Sequence, residues 1–207
     1  MTKLEKIKYV KHCMFHPFEG FYEVKNRGKD SMAAATALLC LYCVLQCLAV
    51  QYTGFVMNFN QISRMNSVTI FISSLSVLLL FILSNWTITT LFDGKGKLKH
   101  IYLVLCYSLL PMVVLDAVVI FVSNFVIQEE VVLLTAVSVI GLVWFCFLVV
   151  TGLCTIHEFS LAKTLVTLLA TAVAALIILF LGVLFVSLVE QMYQFLYIFG
   201  KELMRRI

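Results

Sequence analysis

The sequence contains little charge and almost no proline. Only 13% of its 207 residues are charged and two are proline, whereas 62% are hydrophobic and the mean hydropathy is +1.04. A soluble domain carries about 25% charged and roughly 45–50% apolar residues. The scarcity of charge therefore excludes a soluble domain. The composition indicates an integral membrane protein with nearly all of its length in or against the bilayer.

Sequence signatures of catalysis and of cofactor binding are also missing. The chain has no Gly-x-Ser-x-Gly, no His-Glu-x-x-His, no pair of membrane aspartates and no arginine run of a voltage sensor. The Gly94-Lys95-Gly96 run follows no strand and lacks the full spacing of a nucleotide-binding loop. Basic residues are not interleaved with exposed aromatics, as nucleic-acid binding would require. We therefore predict a protein that is not an enzyme, uses no cofactor and binds no nucleic acid.

The seven cysteines predict neither disulfides nor a metal site. Six of them lie in apolar segments, where cysteine behaves as a small hydrophobe. Cys40 and Cys43 form a Cys-x-x-Cys pair, but in the middle of a membrane segment helix packing explains it better than zinc. Two further polar sets supply too few ligands for a metal: His12 with Cys13 and His16, and His157 with Glu158.

Five apolar segments of spanning length follow one another along the chain. About 20 such residues cross the hydrocarbon core as a helix. We therefore predict an all-α integral membrane fold with five transmembrane helices, at about residues 32–55, 67–91, 101–125, 131–153 and 164–188. The tail 188–204 mixes aromatic and polar residues, and we expect it to fold back as a helix in the membrane interface. The chain then divides into an amphipathic N-terminal segment, 1–30, and a membrane domain, 31–207.

The distribution of lysine and arginine predicts the orientation of these spans. The N-terminus and loop 93–100 are rich in lysine, whereas loops 56–66 and 126–130 together hold one basic residue. The positive-inside rule places the N-terminus and loop 93–100 in the cytosol. No secretory signal peptide is visible, so the first span would direct insertion. The C-terminus would lie outside, although Lys201, Arg205 and Arg206 run against the rule there.

The N-terminal segment predicts contact with the membrane surface. Residues 1–14 have an apolar stripe at spacings of three and four, which favours a basic interfacial helix over a frayed tail. Pro17 is suited to start a second helix. That helix would carry Phe18, Phe21, Tyr22 and Lys25 on one face. Aromatic residues of this kind dock at the level of the lipid headgroups.

Loop 93–100 predicts a second site for anionic lipid or for a partner. Lys95, Lys97 and Lys99 alternate along it, and a lysine near an anionic surface contributes about 1 kcal/mol of attraction. The plain alternative is a basic turn that merely joins two helices, with Gly94 and Gly96 easing the turn.

Three residues inside the spans are costly in lipid and need an explanation. Asn85 lies near the end of the second span, where its amide requires a partner across a helix interface. Pro111 should kink the third span. Asp116 follows it and is either a functional group or one half of a structural hydrogen bond. A transport function would require a second ionisable partner for Asp116.

Four short runs carry a combined pattern. They are His16-Pro17-Phe18-Glu19-Gly20-Phe21-Tyr22-Glu23-Val24-Lys25, Asn85-Trp86, Asp93-Gly94-Lys95-Gly96 and Tyr107-Ser108-Leu109-Leu110-Pro111. In these runs the chain resembles the Yip (Ypt-interacting protein) domain family, most closely its short bacterial branch. The resemblance implies five membrane helices and a cytosolic N-terminus. The chain departs from eukaryotic members in lacking a long N-terminal segment with an Asp-Leu-Tyr-Gly-Pro-Leu-like motif, so their GTPase-binding role in vesicle traffic does not carry over.

The sequence favours a non-enzymatic scaffold or adaptor in a bacterial cell membrane. Its partners would be the lipid bilayer, other membrane proteins such as an ABC-type permease, or a second copy of the chain. One alternative is an accessory subunit of a transport assembly, for example a sugar ABC importer. Another is a small transporter or channel that uses Asp116.

Overall fold

The structure is a computed structural model, which describes residues 10–27, 31–58 and 66–205. Within these ranges the chain is helical and contains no strand. Residues 10–15 are helical, and a short 3₁₀ turn occupies Gln128–Glu130. The main helices are α1 Pro17–Asn26, α2 Met32–Tyr52, α3 Ser67–Leu91, α4 Leu98–Ser108, α5 Leu110–Val122, α6 Val131–His157 and α7 Leu161–Arg205.

Within the described ranges, five helical stretches are long and apolar enough to cross a membrane, which confirms the predicted all-α, five-span fold. They are Met32–Tyr52, Ser67–Leu91, Leu98–Val122, Gln128–His157 and Leu161–Glu202. Side-chain caps fix the start of two of them, as polar N-cap residues commonly do. Ser31 accepts a hydrogen bond from the Ala34 N–H at 3.3 Å, and Asn66 accepts one from the Val68 N–H at 2.9 Å.

The third span is broken at the predicted proline. Helix α4 ends at Ser108 and α5 begins at Leu110, with Pro111 in its first turn. A proline in the first turn removes no hydrogen bond from the helix, because the first N–H groups of a helix have no partner within it. The break separates a largely buried half, α4, from a half that is only partly buried, α5.

The fifth span differs from the prediction. The expected fold-back near residue 188 is absent, because α7 runs as one helix from Leu161 to Arg205. This stretch has no proline and consists largely of helix-forming residues, with only Gly182 and Gly200 as weak points. Its 45 residues extend over about 68 Å, roughly twice the hydrocarbon thickness of a bilayer.

Helix α1 packs against the bundle, which corrects the prediction that Phe21 faces lipid. It packs along α6 where Gly152 leaves room, since a Cβ at that position would lie 2.6 Å from Val104 and 3.1 Å from the Phe21 ring. Phe21 is 0% exposed, so it contacts protein and not lipid. Phe18 and Tyr22 are more than half exposed. Residues 1–9 of the predicted interfacial helix lie outside the described ranges.

Candidate functional site at the hub

The second half of α1, the α3–α4 turn and the end of α6 meet at one end of the bundle. We call this region the hub and define it as residues 20–27, 92–104 and 152–159. Its apolar floor is fully buried and includes Phe21, Ile101, Val104 and Ile156. The hub is therefore packed as closely as the core of a soluble protein. This packing holds the polar side chains above it in defined positions.

The α3–α4 turn folds tightly over one imidazole ring. Asp93 adopts the left-handed conformation at φ 57°, and the Gly94 N–H donates to the Thr89 carbonyl at 2.8 Å. A Cβ at Gly94 would overlap His157 Nδ1, and one at Gly96 would lie 2.7 Å from its Cε1. Both glycines of the Asp93-Gly94-Lys95-Gly96 run are thus required by contact with His157.

His157 supports the turn from below. It is 2% exposed, and its Nδ1 accepts a hydrogen bond from the Gly96 N–H at 3.3 Å. This bond assigns the ring proton to Nε2. The ring also stacks on Phe159, with centroids 5.3 Å apart. His157 thus holds the α3–α4 turn in place by packing and by one hydrogen bond. The residues around it in the sequence did not indicate this role.

Glu158 ties three elements together. It ends α6 in the left-handed conformation, and its carboxylate accepts hydrogen bonds from Lys25 Nζ at 2.7 Å and Lys95 Nζ at 2.5 Å. The bond from Lys25, and then that from Lys95, lower the pKa of Glu158 to about 2. This clasp joins α1, the turn and α6. Lys25 and Lys95, predicted to face lipid or a partner, therefore have an internal partner.

A basic edge surrounds the clasp. Lys97 and Lys99 are exposed at the start of α4. Lys163, at the start of α7, is exposed with its ammonium 4.1 Å from the Phe159 ring centroid. The carboxylate of Glu158 is engaged by Lys25 and Lys95. Two of the three predicted loop lysines, Lys97 and Lys99, are thus exposed beside the clasp.

Two of the remaining family-pattern residues, Asn85 and Tyr107, form hydrogen bonds to other elements away from the basic edge. The Asn85 amide, 0% exposed, donates to Thr171 Oγ1 of α7 at 3.1 Å, which is the cross-helix partner that it requires. The Tyr107 hydroxyl accepts from the Ser31 N–H at 3.0 Å and so fixes the start of α2. Ser108 is buried beside it, and Trp86 is 40% exposed on α3.

Asp116 lies apart from the hub. It sits on α5, partly buried, with the Gln46 amide and the Tyr42 phenol of α2 nearby. These polar neighbours favour the structural interpretation of Asp116. No group of three or more histidine, cysteine or acidic residues within the described ranges is placed to hold a metal.

The sequence was also compared with models of known protein families. The family model described as the Yip1 domain matches residues 11–184. This chain belongs to the Yip1 family. The match includes α1 and the whole hub of this Yip1 protein and ends within α7, before the last 21 described residues of that helix. No curated protein matches the chain, and no solved structure does either.

Proposed function

We propose that this Yip1 protein is a non-enzymatic membrane scaffold or adaptor, and that its hub binds a partner membrane protein and anionic lipid. The observation that supports this is the basic edge. Lys97 and Lys99 are exposed beside a turn that His157 and the Glu158 clasp hold in one conformation. A preorganised surface loses little conformational freedom on binding, which favours specific recognition.

The electrostatics of the hub define what it would bind. Lysine is a compact point charge that attracts phosphate and carboxylate without strict geometry. Both anionic headgroups and an acidic segment of a membrane protein carry such groups. The same lysine-rich turn favours a cytosolic position by the positive-inside rule, so we propose that the hub and the N-terminus face the cytosol of a bacterial cell.

A matched pair of charge reversals tests the lipid part of the proposal. The double variant Lys97→Glu/Lys99→Glu changes the basic edge and leaves the Glu158 clasp intact. The control Lys201→Glu/Arg205→Glu makes the same charge change near the end of α7. The protein would be placed in neutral nanodiscs and mixed with phosphatidylglycerol vesicles at low and high salt.

The hub variant should lose vesicle binding at low salt, and the control should keep it. Wild-type binding should weaken as salt is added, because exposed charges are screened beyond about 10 Å at 0.1 M ionic strength. Equal binding by the hub variant and the wild type at low salt would contradict a lipid-binding basic edge.

A transport assembly is one candidate partner, and co-purification tests it. If an ATPase-permease co-purifies in constant proportion and leaves when Lys97 and Lys99 are reversed, the scaffold is an accessory subunit of that assembly. Independent transport through Asp116 has less support, because its polar neighbours on α2, the Gln46 amide and the Tyr42 phenol, include no second carboxylate and no basic group.

A further inference from the structure

An apolar groove of about 530 Å³ lies outside the hub, between helical residues 10–15 and helices α2 and α5. Ala34, Ala37 and Leu38 of α2 form one wall, and Leu110 and Val114 of α5 form another. The small side chains of Ala34 and Ala37 leave the space open. Val10 and Met14 cover one side of it.

The covering segment is anchored to the bundle. Val10 and Cys13 are 4% and 1% exposed, and the Phe15 ring meets Trp144 of α6 edge to face with centroids 6.0 Å apart. Residues 10–15 therefore form a fixed wall of this groove.

The chemistry of the lining selects an amphipathic occupant. Among the described residues that line the groove, Lys11 is the only charged one, and its side chain is exposed. The other lining side chains are apolar. Since α2 and α5 belong to membrane spans, the groove opens toward lipid. An acyl chain could fill the groove without burying any polar group of the protein that needs a hydrogen bond. An anionic headgroup would contact the Lys11 ammonium at the rim.

We propose that this groove binds one acyl chain of an anionic phospholipid, with Lys11 contacting the phosphate of its headgroup. The site is distinct from the basic edge of the hub, because it shares no residue with Lys97 or Lys99 and is built from other elements. It would hold an individual lipid molecule in a fixed position against α2 and α5.

The test uses the full chain in nanodiscs that contain phosphatidylglycerol with a photoreactive acyl chain, followed by mapping of the labelled residues by mass spectrometry. Ala37→Trp fills the groove, and Ala34→Phe does so from a neighbouring position. Val132→Trp is the matched control, since Val132 is 73% exposed on α6. Size-exclusion profiles and thermal unfolding identify any variant that fails to fold.

Wild-type protein should be labelled preferentially at Leu38 and Val114. Either groove-filling variant that folds should lose this labelling, and the control should retain it. Lys11→Gln should lower the preference for phosphatidylglycerol over phosphatidylcholine by roughly fivefold, the effect of one lysine near an anionic headgroup.

Two results would overturn the proposal. Equal labelling of the groove and of other lipid-facing positions, unaffected by filling, would mean that only the general lipid shell was detected. An unchanged lipid preference in Lys11→Gln would remove the headgroup contact. Because Lys97→Glu/Lys99→Glu should leave groove labelling intact, failure here is distinguishable from failure of the hub to bind.

Discussion

The floor of the hub and the fifth span are both strongly apolar, but they differ in how much of their surface is buried. In the third span, which forms the floor of the hub, 56% of the most apolar 18-residue window is buried, whereas in the fifth span the figure is 0%. A Cβ at Gly152 would collide with two helices, but one at Gly182 or Gly200 would meet nothing within 4 Å. Apolar composition therefore places a helix in the membrane without giving it a neighbour.

Glycines and polar side chains make the difference between the two regions. At the hub, Gly94, Gly96 and Gly152 allow close approach, while His157 and Glu158 fix the turn against α6. The distal half of α7 has polar residues too, but they project from a single exposed helix. We propose that the hub, and not the distal half of α7, carries the fixed surface that binds a partner. The following variants test this difference between the two regions.

Removing a hub aromatic should have the largest effect. Phe21→Ala takes away a fully buried ring and should destabilise the fold by about 3–5 kcal/mol. Phe199→Ala is the control, because Phe199 is 58% exposed on α7. Thermal and denaturant unfolding in one detergent would measure both. Equal losses from the two variants would contradict the contrast between the regions.

Adding one methyl group should give a smaller effect with opposite signs at the two sites. Gly152→Ala forces apart Val104 and Phe21 and should cost about 1–3 kcal/mol. Gly200→Ala meets no neighbour and should be neutral or stabilising, since alanine exceeds glycine by roughly 0.5–1 kcal/mol inside a helix. The same unfolding experiment applies. A stable Gly152→Ala protein would show that α1 does not pack closely on α6.

Breaking the clasp should loosen α1 without unfolding the bundle. In Glu158→Gln, Lys25 and Lys95 lose their carboxylate, so the backbone amides of α1 should exchange faster with deuterium than in the wild type. The pairs are exposed and screened, so the effect is small. Glu190→Gln on α7 is the control and should change nothing at α1.

The clasp also predicts a direction of pH dependence. Its lysines hold the pKa of Glu158 at about 2, below the ordinary 4.5, so the folded state favours the charged form. The stabilisation is complete above pH 4.5 and is lost as the pH falls toward 2. Protection of α1 should decline in that window in the wild type. A Glu158→Gln protein with the same decline would rule out Glu158 as its cause.

Asp116→Asn should have the smallest effect. Asparagine has nearly the same size and shape as aspartate and remains polar beside the Gln46 amide, so the fold and any partner binding should persist. Unfolding curves and co-purification would check this. If wild-type protein moved a solute or ion across liposomes and Asp116→Asn did not, Asp116 would be functional.

The sequence predicted the number and kind of the spans, because length and hydropathy determine them, but not that the fifth helix continues to Arg205. It also predicted the break at Pro111 and the need of Asn85 for a partner. It did not reveal that Phe21 is core and that Lys25 and Lys95 share Glu158, since such contacts join residues more than 60 positions apart. The spacing of Gly94 and Gly96 was the one feature of the sequence that indicated a close contact at this turn. The position of His157 in the structure explains why both residues are glycine.

The central claim is that the hub is the docking surface, and site-specific photocrosslinking in native membranes tests it most directly. A photoreactive residue at Leu98, which is 43% exposed between Lys97 and Lys99, would be compared with one at Phe195, which is 67% exposed on α7. We predict one dominant membrane-protein adduct at Leu98 that disappears in Lys97→Glu/Lys99→Glu, and none at Phe195. An adduct confined to Phe195, or one at Leu98 that survives the charge reversal, would contradict the account.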